Sequence, residues 1–147
     1  MAGTRFFLTE DDEKKVIQAI TDAEKITSGE IRVHIEKHCT DDAFKRAVKV
    51  FEKLKMHKTK LKNGVLFYVA SEDRKFTIIG DKGINEKVPE DFWNQIKDYM
   101  SEKFKAGECG EGLIEGILRA GDQLKTHFPY EKGDIDELVN NISYYEN

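Results

Sequence analysis

The chain has 147 residues, of which 39% are hydrophobic and 35% are charged. This length fits one domain with a full hydrophobic core, and the composition requires a densely charged surface. The formal net charge of -4 argues against a dedicated nucleic-acid-binding protein, because such proteins depend on clustered positive charge. It does not exclude small molecules that carry phosphate.

The lack of recognisable targeting signals and the two cysteines together indicate the cellular compartment. No run approaches the ~20 apolar residues that a transmembrane helix needs, and the N-terminal residues lack the basic and apolar regions of a signal peptide. Cys39 and Cys109 fit no metal-ligand spacing, so we expect two idle thiols in a reducing environment. The sequence predicts a cytoplasmic monomer with no membrane and no nucleic acid as partner.

The first half of the chain predicts a helix, a strand and a second helix. Thr9 is a candidate N-cap before an acidic first turn, and apolar residues at helical spacing follow over residues 16–23. Strict alternation over residues 30–37 predicts a strand with one polar side. The second helix is predicted to open at Thr40. Its expected buried face consists of Phe44, Ala47, Val48, Phe51 and Leu54.

The second half begins with a hairpin. The continuous apolar run 65–70 predicts a strand buried on both faces, and the polar turn 71–74 leads into an antiparallel partner at 74–79. A third helix is predicted from Pro89, and a fourth, rich in glycine, ends at Phe128. Helix glycines are costly, so we expect close approach of this helix to its neighbours.

These elements predict one α/β domain. A strand, a helix and another strand in this order imply a right-handed parallel crossover, and the hairpin makes the sheet mixed. The predicted architecture is a three-layer α/β/α sandwich, Rossmann-like, with a short mixed sheet flanked by four or five helices. Residues 1–129 would form the domain, and residues 130–147 an acidic extension that permits a short helix.

Acidic residues follow two strands that should run parallel. Asp41 and Asp42 come after the first strand, and Glu72 and Asp73 come after the second. Parallel strands end at one sheet edge, where open α/β sheets bind ligands, and clustered oxygens suit Ca²⁺ or Mg²⁺. The same residues also have ordinary structural explanations, since acids favour helix N-termini and polar residues favour hairpin turns.

The opposite sheet edge offers an alternative metal site. Asp81, between Gly80 and Gly83, and Glu30 at the start of the first strand would lie there, and the glycine-flanked amides could receive a phosphate. A structural turn is the competing interpretation. His34 shares the polar side of its strand with charged residues, so a salt network is favoured over a zinc or nucleophile role.

Five segments, taken together, resemble the TPM domain family, whose thylakoid and bacterial members are often labelled TPM phosphatases. The resemblance covers about residues 8 to 127. It is carried by Glu24-Lys25-Ile26-Thr27-Ser28-Gly29-Glu30-Ile31, Asn63-Gly64-Val65-Leu66, Glu72-Asp73-Arg74-Lys75, Gly80-Asp81-Lys82-Gly83-Ile84 and Phe104-Lys105-Ala106-Gly107 with Gly112-Leu113. It implies a Rossmann-like sandwich, binding of calcium or magnesium, and in some members hydrolysis of phosphate esters or nucleotide phosphates. The chain resembles a free-standing bacterial member.

Two functions follow from the residues and the resemblance. In the first, Asp42 and Asp73 hold a cation that activates water against a phosphate ester, and Asp41 or Glu72 acts as base. In the second, the protein binds calcium or magnesium without catalysis, as a binding or interaction module. Family members commonly carry an aspartate where this chain has Gly3, a departure that favours the second function.

Overall fold

A computed structural model describes residues 8–130 and 142–145 of the chain. Helices and strands alternate through the first half, and two longer helices follow the hairpin. The elements are α1 (Glu10–Glu24), β1 (Glu30–Glu36), α2 (Ala43–Lys53), β2 (Gly64–Ala70), β3 (Lys75–Gly80), α3 (Lys82–Asn85), α4 (Phe92–Lys105), α5 (Cys109–His127) and β4 (Ile142–Tyr145), with a short 3₁₀ helix at Met56–Lys58.

The four strands form one mixed sheet in the order β3-β2-β1-β4. β1 pairs parallel with β2, and their last residues, Glu36 and Ala70, lie side by side. β2 pairs antiparallel with β3, as the hairpin pattern predicts. β4 pairs parallel with the other side of β1, so β1 lies in the middle of the sheet. The predicted α/β class and mixed sheet are confirmed.

Two apolar cores lie on opposite faces of the sheet. The larger contains the odd-numbered apolar residues of β1 and β2 and the buried stripes of α1, α4 and α5. The smaller contains Ala47, Val50 and Phe51 of α2, packed on Leu66 and Tyr68 of β2. This arrangement gives three layers, because successive strand residues point to opposite faces.

The capping of α1 and the packing of α5 agree with what the sequence predicts. Thr9 caps α1 in a capping box, with its hydroxyl accepting from the amide of Asp12 at 3.0 Å. A Cβ added at Gly121 would lie 3.0 Å from the Cβ of Ala23 in α1, and one at Gly116 would lie 2.8 Å from the sulfur of Met100 in α4. The predicted close approach of the glycine-rich helix is therefore confirmed.

Two helix boundaries, one segment and one helix face differ from the predictions. α2 begins after Asp42 rather than at Thr40, and α4 begins at Phe92 rather than at Pro89. The segment after β3 forms the one-turn helix α3, where the sequence suggested only a loop. Phe44 and Val48 are 55% and 37% exposed, because α2 turns its other apolar residues toward β2 and β3.

The polar side of β1 is buried. Every residue of the strand is buried, including Arg32 at 9% exposure, His34 at 6% and Glu36 at 0%. The alternating pattern therefore predicts the strand correctly, and its polar side is not a solvated face. Such burial requires partners for the charged groups.

The C-terminal residues contribute the fourth strand. Ile142 is buried against Val33, and the register places Ser143 beside His34 and Tyr145 beside Glu36. The short helix predicted within residues 130–147 falls largely on residues 131–141, which lie outside the described part of the chain.

Candidate functional site at the carboxyl edge of the sheet

The loops that follow β1 and β2 are joined by backbone hydrogen bonds. The amide of Ser71 donates to the carbonyl of Glu36 at 2.8 Å, and the amide of Glu72 donates to the carbonyl of Lys37 at 2.9 Å. Parallel pairing thus continues past the strand ends and brings the two acidic segments of the sequence together. The predicted meeting of these loops at one edge is present in the structure.

Asp73 connects the two loops through its side chain. One carboxylate oxygen accepts the amide of Cys39 at 2.7 Å, and the other lies 3.0 Å from Nδ1 of His38. Glu72 approaches the other ring nitrogen of His38, with Oε2 3.5 Å from Nε2. The hydrogen bonds from His38 and from the Cys39 amide lower the pKa of Asp73, so its carboxylate is held in the charged form.

Lys75 holds the backbone oxygens of the first loop. Its Nζ donates to the carbonyl of Cys39 at 2.9 Å and to the carbonyl of Asp41 at 3.3 Å. The loop therefore presents two carbonyl oxygens to the ammonium group of Lys75, at the start of β3. Carbonyl and carboxylate oxygens are the atoms that hard cations prefer.

Asp41 and Asp42 have local roles in this structure. Asp42 caps α2, where its carboxylate accepts the amide of Lys45 at 3.2 Å, and Asp41 accepts the amide of Asp42 at 2.8 Å. Over residues 8–130 and 142–145, no three His, Cys, Asp or Glu side chains are grouped so as to hold a metal ion. Metal binding by these four acids stays a prediction.

The opposite edge shows the features of a structural turn. Asp81 caps α3 with a 2.7 Å bond from the amide of Lys82, and its own amide donates to the carbonyl of Gly64 at 2.8 Å. A Cβ at Gly83 would lie 2.2 Å from the carbonyl oxygen of Leu61, so this glycine permits close packing of two loops. Glu30 is buried at the start of β1. A cation or phosphate here also stays a prediction.

A buried carboxylate network lies next to the acidic loops, and the sequence did not indicate its extent. Glu36 accepts two hydrogen bonds from Arg46 of α2, both at 2.8 Å, and a third from the hydroxyl of Tyr68. Burial alone would raise the pKa of Glu36, but the bonds from Arg46, Tyr68 and His34 outweigh it and lower the pKa to about 2.

His34 links this network to β4. Its Nε2 lies 3.0 Å from Glu36 Oε1, and its Nδ1 lies 2.9 Å from the hydroxyl of Ser143. Burial lowers the pKa of His34 despite the neighbouring carboxylate. These contacts fit a neutral ring that donates from Nε2 to Glu36 and accepts from Ser143. His34 thus joins a polar network by a hydrogen bond to Glu36, and the ion pair of that carboxylate is formed with Arg46.

A polar pocket of about 420 Å³ opens between α2, the end of β1 and β4. Arg46, Lys49 and Lys53 line it from α2, Asp41 lines it from the loop, and Tyr145 lines it from β4. The three cationic residues lie on one helix face at spacings of three and four, a pattern that was legible in the sequence. The sequence did not show that this face lines a pocket, because only the structure brings Tyr145 opposite it.

The described fold is an α/β/α sandwich whose parallel strands end in acidic loops beside a basic pocket. The profile of the TPM domain matches residues 5–123, and the chain belongs to the TPM domain family. The resemblance seen in the sequence is confirmed. No helix within the described residues combines the length and apolar character needed to cross a membrane.

Two solved structures resemble the chain at different levels. The BA42 protein of the psychrophilic bacterium Bizionia argentinensis, solved by NMR, is 54% identical, with a TM-score of 0.87 over 95% of this chain and 96% of that one. The N-terminal domain of a protein from P. gingivalis is 20% identical, with a TM-score of 0.68 over 85% and 83% of the two chains, and shares the fold. No curated protein matches the sequence.

Proposed function

We propose that this TPM domain binds a divalent cation, Ca²⁺ or Mg²⁺, at the joined loops of the carboxyl edge. Asp73 and Glu72 would supply carboxylate oxygens, and Asp41 and Asp42 would supply further oxygens from the first loop. What supports the proposal is that oxygens of both loops already converge on two side-chain nitrogen groups. His38 lies between Glu72 and Asp73, and Lys75 bonds to the carbonyls of Cys39 and Asp41.

The carboxylate and carbonyl oxygens of these loops are the kind of ligand that a hard cation prefers. A dipositive ion attracts carboxylates more strongly than the single charge of an ammonium, so it would compete with His38 and Lys75 for these oxygens. Asp42 would have to exchange its capping bond at α2 for the ion, a cost of about 1 kcal/mol. Binding would therefore reorganise the loops rather than fill a preformed cage.

The test is a titration of Ca²⁺ and of Mg²⁺ into the protein, followed by backbone amide NMR. We expect saturable shifts concentrated at residues 38–42 and 71–75, and Asp73→Asn should abolish them. Lys75→Gln should strengthen binding, because it removes the competing ammonium and keeps a side chain of similar length. Asp81→Asn is the matched control at the opposite edge and should leave the affinity unchanged.

Three outcomes would contradict the proposal. They are the absence of saturable shifts, equal losses in Asp73→Asn and Asp81→Asn, and weaker binding in Lys75→Gln. Shifts centred on residues 30 and 80–83 would instead support the alternative site of Glu30 and Asp81.

A second candidate function is metal-dependent hydrolysis of a phosphate ester or nucleotide phosphate. It is supported by the pocket of about 420 Å³, which shares His38 and Asp41 with the acidic loops and has the size of a small-molecule site. A bound cation would supply Lewis-acid stabilisation of phosphoryl oxygens and a water of lowered pKa. Asp42 and Asp73 would hold it, and Asp41 or Glu72 would accept a proton. Phosphate release that persists unchanged in Asp42→Asn and Asp73→Asn would exclude this candidate.

A further inference from the structure

The charges of the described residues that line the pocket between α2 and β4 do not cancel. Glu36, at its base, is neutralised by Arg46 through two 2.8 Å bonds, so this pair contributes little net charge. Lys49 and Lys53 remain, one helical turn apart on the same face of α2. No Asp or Glu among residues 8–130 and 142–145 lies within ion-pair distance of either ammonium.

Apart from Glu36, the one acid among the described residues that line the pocket is Asp41. Its carboxylate already accepts the amide of Asp42 at 2.8 Å, which orients it along the loop. Two like charges at a spacing of four residues repel one another and slightly destabilise α2. An anion bound between Lys49 and Lys53 would relieve this repulsion.

Tyr145 completes the pocket on the side away from α2. The Nζ of Lys53 lies 5.6 Å from its ring centroid, and the Cζ of Arg46 lies 5.9 Å from it. The contact with Lys53 holds its ammonium over the ring and restricts the directions that this group can take. A restricted ammonium loses less entropy on binding a ligand than a free surface lysine does.

We infer that this pocket binds an oxyanion, the phosphate group of a phosphate monoester, between Lys49 and Lys53. The inference deepens the hydrolase candidate by assigning the residues that hold the phosphate. It rests on the pocket and needs no bound cation, since both positive charges belong to the chain. The rest of the roughly 420 Å³ volume leaves room for the organic part of the ester.

The experiment is a titration of phenyl phosphate into the protein in EDTA at low ionic strength, followed by amide NMR, with chloride at matched ionic strength as the blank. We expect saturable shifts at residues 36–41, 46–53 and 145. The double variant Lys49→Gln/Lys53→Gln should weaken binding about tenfold or more, because two charge-assisted contacts are lost. The control Lys45→Gln/Lys60→Gln removes the same charge from exposed lysines outside the pocket and should change the affinity less than about twofold.

The results that would overturn the inference are specific. One is the absence of saturable shifts beyond the chloride blank. Another is an equal loss of affinity in the two double variants, which would indicate attraction to the overall charge of the surface. Both measurements are made in EDTA, so failure of the cation proposal would leave them unaffected.

Discussion

The buried pair of Glu36 and Arg46 gives the most direct test of how the sheet and α2 are held together. We consider Arg46→Met, which keeps an apolar stem and removes the guanidinium. Glu36 is fully buried and would keep only Tyr68 and His34 as hydrogen-bond partners. A buried carboxylate without its counter-charge is expensive, so the folded state should lose stability.

The magnitude follows from the burial of the two side chains. Breaking a buried ion pair costs about 3–5 kcal/mol, and the lower end applies because 27% of the Arg46 side chain is exposed and water can reach the vacated position. The pKa of Glu36 gives a similar figure. Its fall from 4.5 to about 2 on folding corresponds to about 3 kcal/mol at neutral pH. We therefore expect a loss of about 3 kcal/mol and a fall in Tm of about 10 °C.

The pH dependence has a definite sign. A carboxylate whose pKa is lower in the folded state stabilises the protein above its unfolded pKa, and this stability is lost as the pH falls from about 5 to about 2. The wild-type advantage over Arg46→Met should shrink over that range.

The assay is urea denaturation at pH 7 and at steps down to pH 3, followed by circular dichroism. Lys15→Met is the control, because it breaks an exposed 3.0 Å pair with Asp11 and should have little effect. The reasoning fails if Arg46→Met costs no more than Lys15→Met at pH 7, or if its deficit grows toward low pH.

Three further predictions concern packing and one buried hydrogen bond. Gly83→Ala should lower the unfolding free energy by about 2 kcal/mol or more in urea denaturation, because the new Cβ would lie 2.2 and 2.5 Å from two backbone carbonyl oxygens. Ser143→Ala should cost about 1 kcal/mol and accelerate hydrogen exchange in β4, because His34 loses its Nδ1 partner; unchanged exchange would contradict this. Phe44→Ser should leave Tm nearly unchanged, whereas Phe51→Ala should cost about 3 kcal/mol, since their exposures are 55% and 6%.

Much of the fold could be predicted from the sequence because its signals are local. The apolar run of β2, the capping residue Thr9 and the hairpin turn each act within a few residues. The meeting of the two acidic loops also followed from local signals, because parallel strands joined by a crossover must end at one edge.

The features that could not be predicted depend on how elements face one another. Periodicity places Arg46 on a face of α2 and Glu36 on a face of β1, but it does not say that these faces meet. Phe44 was expected in the core because it continues the apolar stripe, yet the tilt of α2 toward β2 and β3 leaves it exposed. β4 is only four residues long, and its strand conformation comes from pairing with β1 rather than from a pattern of its own.

The acidic loops and the basic pocket have residues 38–41 in common, so their ligands should influence one another. His38 contacts Asp73 and also lines the pocket. Asp41 accepts a hydrogen bond from Lys75 through its backbone carbonyl, and it lines the pocket as well. A cation at the loops and an oxyanion beside Lys49 would lie close together with opposite charges. Each should therefore strengthen the binding of the other by the same factor, about fivefold or more.

This reciprocity can be measured with Mg²⁺ and phenyl phosphate by isothermal titration calorimetry, after correction for their pairing in solution. The Mg²⁺ affinity is measured with and without phenyl phosphate, and the phenyl phosphate affinity with and without Mg²⁺. Equal enhancement in both directions is the expected result. Lys49→Gln/Lys53→Gln should remove it, and should raise the Mg²⁺ affinity without phosphate, because two positive charges near the loops are lost. Independent binding of the two ligands would mean that the loops and the pocket act as separate sites, despite the residues they share. Such a result would contradict the electrostatic argument that places them together.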